Sequence, residues 1–134
     1  MKYKRIALLF PGQGSQYAGM GKELYDNHQV VKDVFEEAGN VLEYDVAEKC
    51  FKKPALGMKL MYKPDLDRTV YTQPAMFVSG YAFFKALEEA CQEYDVQLNP
   101  SFFAGHSLGE YTALAAAGAM DFSTCTGLVQ KRAD

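Results

Sequence analysis

Histidine, cysteine, long apolar runs and excess charge are all scarce in this 134-residue chain, and each scarcity excludes something. The three cysteines, Cys50, Cys91 and Cys125, are odd in number and widely separated, so they offer neither a disulfide framework nor a close-spaced metal or redox motif. They read as buried or idle thiols of a reducing compartment. The apolar run Ile6–Phe10 stops at Pro11-Gly12. It is shorter than the roughly 7–15 residues of a signal-peptide core, and no run approaches the roughly 20 that span a membrane. Fourteen Lys and Arg against 17 Asp and Glu leave a net charge of −3, which gives no electrostatic case for nucleic-acid binding. The expectation is a soluble cytoplasmic protein with no membrane or nucleic-acid partner. What is plentiful is hydrophobic side chain, 49% of the total, too much for a disordered chain of so little net charge. A domain of this size buries about two-thirds of its unfolded surface.

Ile6–Phe10 suits a short strand buried on both faces. Pro11 to Gly21 holds four glycines and reads as a loop of unusual backbone freedom. From Gln29, residues Val30, Val31, Val34, Phe35, Ala38, Val41 and Leu42 follow helical spacing, with Lys32, Asp33, Glu36 and Glu37 opposite. Between Cys50 and Tyr71 the periodicity is mixed, and Pro54, Gly57 and Pro64 predict loops and short turns. Thr72 is the expected cap of a long helix over Gln73–Cys91 with Pro74 in its first turn, its first half deeply buried. Asn99-Pro100 marks a turn, and Ser101–Ala104 a second strand. Glu110–Ala117 is a strong helix former ended by Gly118, and Asp121 caps a last helix running to the final residue. The order of elements predicts an α/β protein with parallel strands.

Gly105-His106-Ser107-Leu108-Gly109 matches G-x-S-x-G, placed between a strand and a helix. In that setting a sharp turn exposes the serine Oγ, and the next amide lies at a helix N-terminus, which favours negative charge. An oxyanion formed by attack of Ser107 on an acyl carbonyl would sit against the Leu108 N–H. By itself the motif says only acyl transfer or hydrolysis. The glycine loop is not a nucleotide site. Tyr17 stands where a dinucleotide fingerprint needs glycine, and Gly21-Lys22 is followed by Glu23 rather than Ser or Thr. A loop after the first strand would flank the Ser107 turn if the two strands are parallel neighbours, and its amides could then supply a second oxyanion donor.

Phe10-Pro11-Gly12-Gln13-Gly14-Ser15-Gln16, taken with Gly105-His106-Ser107-Leu108-Gly109-Glu110 and Thr72-Gln73-Pro74-Ala75, resembles the malonyl-CoA:acyl-carrier-protein transacylases and the acyltransferase domains of fatty-acid and polyketide synthases. The resemblance runs from Ile6 to the last residue. It implies a ping-pong reaction in which Ser107 takes malonyl from coenzyme A and passes it to the phosphopantetheine thiol of an acyl carrier protein. It implies that Gln13 and Leu108 form the oxyanion hole through backbone N–H groups, and that His106 lines the acyl pocket. Arg132 falls where the family grips the free carboxylate of malonate, a task suited to a planar guanidinium. Leu108 favours malonyl over methylmalonyl by the same resemblance. Malonyl-CoA is then a substrate, and no permanently bound cofactor or metal is implied. The implied fold joins an α/β-hydrolase-like parallel-sheet core to a ferredoxin-like small subdomain.

A serine hydroxyl needs a base within hydrogen-bond reach, and two histidines offer little. His106 precedes Ser107 directly, so its side chain should point away from Oγ, and His28 lies in a polar stretch between helices. None of the 27 residues after Ser107 is histidine, and Gln130–Asp134 ends within a helical pattern without a glycine or proline stop. Residues 1–134 are therefore expected to be the amino-terminal segment of the acyltransferase large subdomain. The base, the small subdomain and further strands would lie in a remaining carboxy-terminal part. Two other readings stay open: an acyl-carrier-protein hydrolase, and a non-catalytic module that docks carrier protein. Lys52, Lys53, Lys59 and Lys63 could meet coenzyme A phosphates or an acidic partner, although a solvated face explains them better.

Overall fold

The computed structural model describes residues 5–52 and 65–134, so Lys53, Lys59, Lys63 and the turns expected at Pro54, Gly57 and Pro64 lie outside the described residues. Strands β1 (Ala7–Phe10) and β2 (Phe102–Gly105) pair in parallel, with Ala7 opposite Phe102 and Phe10 opposite Gly105. Between them run helices α1 (Lys22–Asn27), α2 (Gln29–Leu42), α3 (Val46–Phe51), a 3-10 turn (Asp65–Asp67) and α4 (Thr69–Glu93). Helices α5 (Leu108–Ala116) and α6 (Phe122–Ala133) follow β2. The α/β order and the parallel pairing are as the sequence predicts.

The apolar stripe of α2 is the one expected. Val31, Val34, Phe35 and Ala38 are buried, and Glu36 and Glu37 face solvent. Burying each of the larger side chains stabilises the fold by roughly 1.5–3 kcal/mol. Glu43 stops the helix in the left-handed region, φ 60°, its N–H donating to the Gly39 carbonyl at 2.9 Å. The short helix α3 has a cap that the mixed periodicity concealed: the Asp45 carboxylate accepts from the Glu48 N–H at 3.0 Å.

Helix α4 is the axis of the core. Every residue from Thr72 to Ser79 is buried, and α2, α5 and α6 pack around it. Phe122, the first residue of α6, lies between two rings of α4, stacking on Phe77 at 5.3 Å and on Tyr81 at 4.6 Å. That sandwich fixes where α6 begins, and the Asp121 carboxylate caps it by accepting from the Thr124 N–H at 2.8 Å. The expected cap of α4 is corrected. The helix begins at Thr69, and the Thr72 hydroxyl donates to the Leu66 and Arg68 carbonyls from inside the first turns. Pro74 is then the sixth helical residue, one turn beyond the position where a missing N–H is harmless.

Strand β1 is not buried on both faces as its apolar run suggested, and neither is β2. Phe10 and Phe103 turn inward to meet Phe84 of α4 edge-on at 6.4 and 6.0 Å. Leu9 and Phe102, on the other face, are 76% and 63% exposed, because no described helix covers that side. An apolar groove of about 410 Å³ runs beside β1, walled by Leu8, Phe10, Met76 and Phe83. No described helix is long and apolar enough to cross a membrane.

Candidate active site

The turn from β2 to α5 is built by its glycines. A Cβ on Gly105 would lie 2.1 Å from the Gly109 carbonyl, and one on Gly109 would lie 2.2 Å from the Phe10 oxygen. Neither position tolerates any other residue without backbone movement. Between them Ser107 adopts φ 55° and ψ −110°, a region sparsely populated by residues with a side chain and costing of order 1–3 kcal/mol. The surrounding close packing holds that strain and leaves the serine side chain exposed at the head of α5.

Leu108 is the first residue of α5, with its side chain buried. Its N–H has no acceptor among the described residues. The glycine loop reaches the same place from the other strand. A Cβ on Gly12 would meet the His106 carbonyl oxygen at 2.8 Å, so the backbone just before Gln13 passes directly over the turn. The Gln16 side chain accepts from the Gly14 N–H at 2.8 Å and braces the loop. The parallel register thus gathers Gln13, Leu108 and Ser107 at one end of the sheet, where the helix N-terminus favours developing negative charge.

Arg132 arrives from the last turn of α6. Its Nη2 donates to Ser107 Oγ at 2.6 Å, and its Nη1 donates to Gln73 Oε1. A guanidinium carries only N–H donors, so both contacts have Arg132 as donor. Gln73 is buried beneath an exposed Arg132. Its carbonyl fixes one edge of the fork and leaves the other at the serine. Sequence reasoning assigns Gln73 no role of its own, although an amide inside an otherwise apolar helical run is a signal for one.

Neither histidine bonds to Ser107. The His106 ring is exposed on the Gly12 side, and His28 joins α1 to α2 with its Nδ1 2.9 Å from Glu89 Oε2. Cys50 is fully buried, and burial pushes its thiol up to about 12, which removes it as a nucleophile. The described residues therefore assemble a serine, an amide-lined turn and a cationic fork, with no base touching the serine.

A family model described as "Acyl transferase domain" matches residues 7–127. The chain is 40% identical over 130 residues to the malonyl CoA-acyl carrier protein transacylase of Bacillus subtilis (strain 168), covering 97% of this chain and 37% of that protein. It superimposes on the acyl-carrier-protein S-malonyltransferase of Burkholderia pseudomallei 1710b with a TM-score of 0.81 and 39% identity, covering 96% of this chain and 38% of that one. A malonyl-transacylase solved in complex with its type II PKS acyl-carrier protein matches with a TM-score of 0.79 and 38% identity, over 97% and 38% of the two chains. The chain thus spans well under half the length of the curated relatives it matches. With the family model covering all but its ends, and the serine turn, glycine loop and arginine meeting at one point, the chain belongs to the acyltransferase domain family.

Proposed function

We propose that this chain carries the nucleophile and the carboxylate anchor of a malonyl-CoA:acyl-carrier-protein transacylase. The observation that carries the reading is the placement of the Arg132 fork 2.6 Å from Ser107 Oγ, held from behind by Gln73. A hydrolase of neutral acyl groups has no use for a fixed cation there. A malonyl ester on Ser107 ends in a carboxylate within reach of that fork, and two charge-assisted hydrogen bonds would hold it.

The reaction has two balanced halves. Ser107 Oγ attacks the thioester carbonyl while a base takes the hydroxyl proton. The carbonyl oxygen gains charge against the Gln13 and Leu108 amides, and the carbon–sulfur bond then breaks to release coenzyme A as its thiol with that proton. In the second half a phosphopantetheine thiol of an acyl carrier protein attacks the ester, and Ser107 regains its proton. Loss of one such amide donor costs about 3–4 kcal/mol in comparable sites. Residues 1–134 form the amino-terminal segment of the large subdomain in this reading. The base and the ferredoxin-like small subdomain come from the length that the relatives have and this chain does not span. His106 lines the acyl pocket, no resident cofactor takes part, and the reaction runs in the cytoplasm. Fatty-acid and polyketide carrier proteins share the same thiol arm, so either serves as acceptor.

The test is intact mass of the natural gene product after mixing with malonyl-CoA. A malonyl adduct that Ser107→Ala abolishes, and that acyl carrier protein discharges as malonyl-carrier rather than free malonate, is the expected result. Labelling that survives Ser107→Ala, or release of free acid alone, overturns the reading.

A further inference from the structure

Resting on the transacylase reading, we propose that Gln130 is a positioning residue that sets Arg132 by repairing a backbone defect in α4. Pro74 has no N–H, so the carbonyl of Val70, one turn earlier, loses its helical donor. Val70 is half-buried, and an acceptor left unpaired there costs stability. The Gln130 side chain supplies the missing donor from the neighbouring helix, its Nε2 lying 3.4 Å from the Val70 oxygen. The same amide is fully employed: Nε2 also donates to Asp134 Oδ1 at 2.8 Å, and Oε1 accepts from the Tyr44 hydroxyl at 3.0 Å. Burial pushes the Tyr44 phenol up from its ordinary range, which keeps it a donor.

The two glutamines therefore form a pair of struts between α4 and α6. Gln130 on α6 reaches Val70 on α4, and Gln73 on α4 reaches Arg132 on α6. Phe122 pins the start of α6 through its ring stack, while its last turn, which carries Arg132, is held by these polar struts. Arg132 follows Gln130 by two residues, so a shift of that turn moves the guanidinium off Ser107. Displacements of about 1 Å matter at a site of this kind. Pro74 and Gln130 form one unit: the proline opens an acceptor, and the glutamine uses it to register the helix that carries the anchor.

The test measures malonyl-CoA and acetyl-CoA loading of the natural gene product by intact mass, since acetyl lacks the carboxylate that Arg132 would hold. Gln130→Leu is expected to lower malonyl kcat/KM about fivefold relative to acetyl, the factor that corresponds to one ordinary hydrogen bond. Gln130→Glu keeps the acceptor for Tyr44 but loses the donor, and is expected to show the same selective loss if the leucine variant folds poorly. In a Pro74→Ala background the substituted residue supplies its own N–H to the Val70 carbonyl, and the Gln130→Leu effect should shrink to less than half. Equal loss of both acyl groups, or an undiminished effect in the Pro74→Ala background, overturns the proposal. Absence of malonyl loading in the unaltered protein would instead refute the transacylase reading on which it rests.

Discussion

Removing the guanidinium at position 132 is the perturbation that most directly separates carboxylate recognition from serine chemistry. Arg132→Ala deletes two donors, one now on Ser107 Oγ and one on Gln73 Oε1. Hydrogen bonds to a charged group contribute about 1.5–3 kcal/mol each. Arg132 is exposed, so solvent screens the pair, and a joint loss near the lower end, about 2–3 kcal/mol, is expected for a bound malonyl carboxylate. That corresponds to a fall of roughly 30- to 150-fold in malonyl kcat/KM. Acetyl loading should change by less than about fivefold, because acetyl presents nothing to the fork. Arg132→Lys keeps the charge as a single point without the bidentate geometry and should fall between the two. The assay is the initial rate of serine-ester formation with each thioester, followed by quenched-flow intact mass, with Gln73→Ala as a companion. An equal loss of malonyl and acetyl loading in Arg132→Ala would refute the reasoning, since it would make the arginine a general activator of Ser107.

Gly109→Ala sets a Cβ against the Phe10 oxygen, where 2.2 Å separates them, and so pushes β1 away from the turn. Overpacking of this kind costs about 1–3 kcal/mol or more, and a urea midpoint indistinguishable from that of the parent would contradict the packing described. Asp121→Ala removes the cap of α6. The Asp121 carboxyl is held below its ordinary range by hydrogen bonds from Thr124, so its stabilisation is present above the unfolded carboxylate pKa, about 3.9, and fades as pH falls through the lower folded value. The Tm gap between parent and Asp121→Ala should therefore be full at pH 6 and close in acid. A gap that widens in acid would mean the sign is wrong.

Features that rest on local backbone chemistry were legible in the sequence. The spacing of Gly105, Ser107 and Gly109 located the turn because only glycine permits those approaches, and Asp121 announced its helix through a contact three residues away. Helix α3 had a similar signal, Asp45 three residues before Glu48, that mixed periodicity obscured. Both strands stand where the sequence puts them, and only the expected burial of β1 on both faces failed, for another reason. An apolar run states that burial is favourable but not which element supplies the cover, and the outer face with Leu9 and Phe102 has none among the described residues. The start of α4 was misplaced because Thr72 looks like a cap in isolation, whereas its hydroxyl serves carbonyls inside the helix. The glutamine struts were invisible for a topological reason. Gln73 meets a residue 59 positions away and Gln130 one 60 positions away, and no local pattern encodes either meeting.

The pairing of Phe10 with Gly105 joins positions 95 apart in the chain, with α1 to α4 between them. Closing so long a stretch carries a loop-closure entropy cost, and pairings of this kind slow folding. The close approaches of β1 and the loop after it, the Phe10 oxygen against Gly109 and Gly12 over the His106 carbonyl, help to hold the strained backbone at Ser107. During synthesis on the ribosome the first strand waits through most of the chain for its neighbour. The serine turn therefore has its close-packed support only once two segments 95 positions apart have paired.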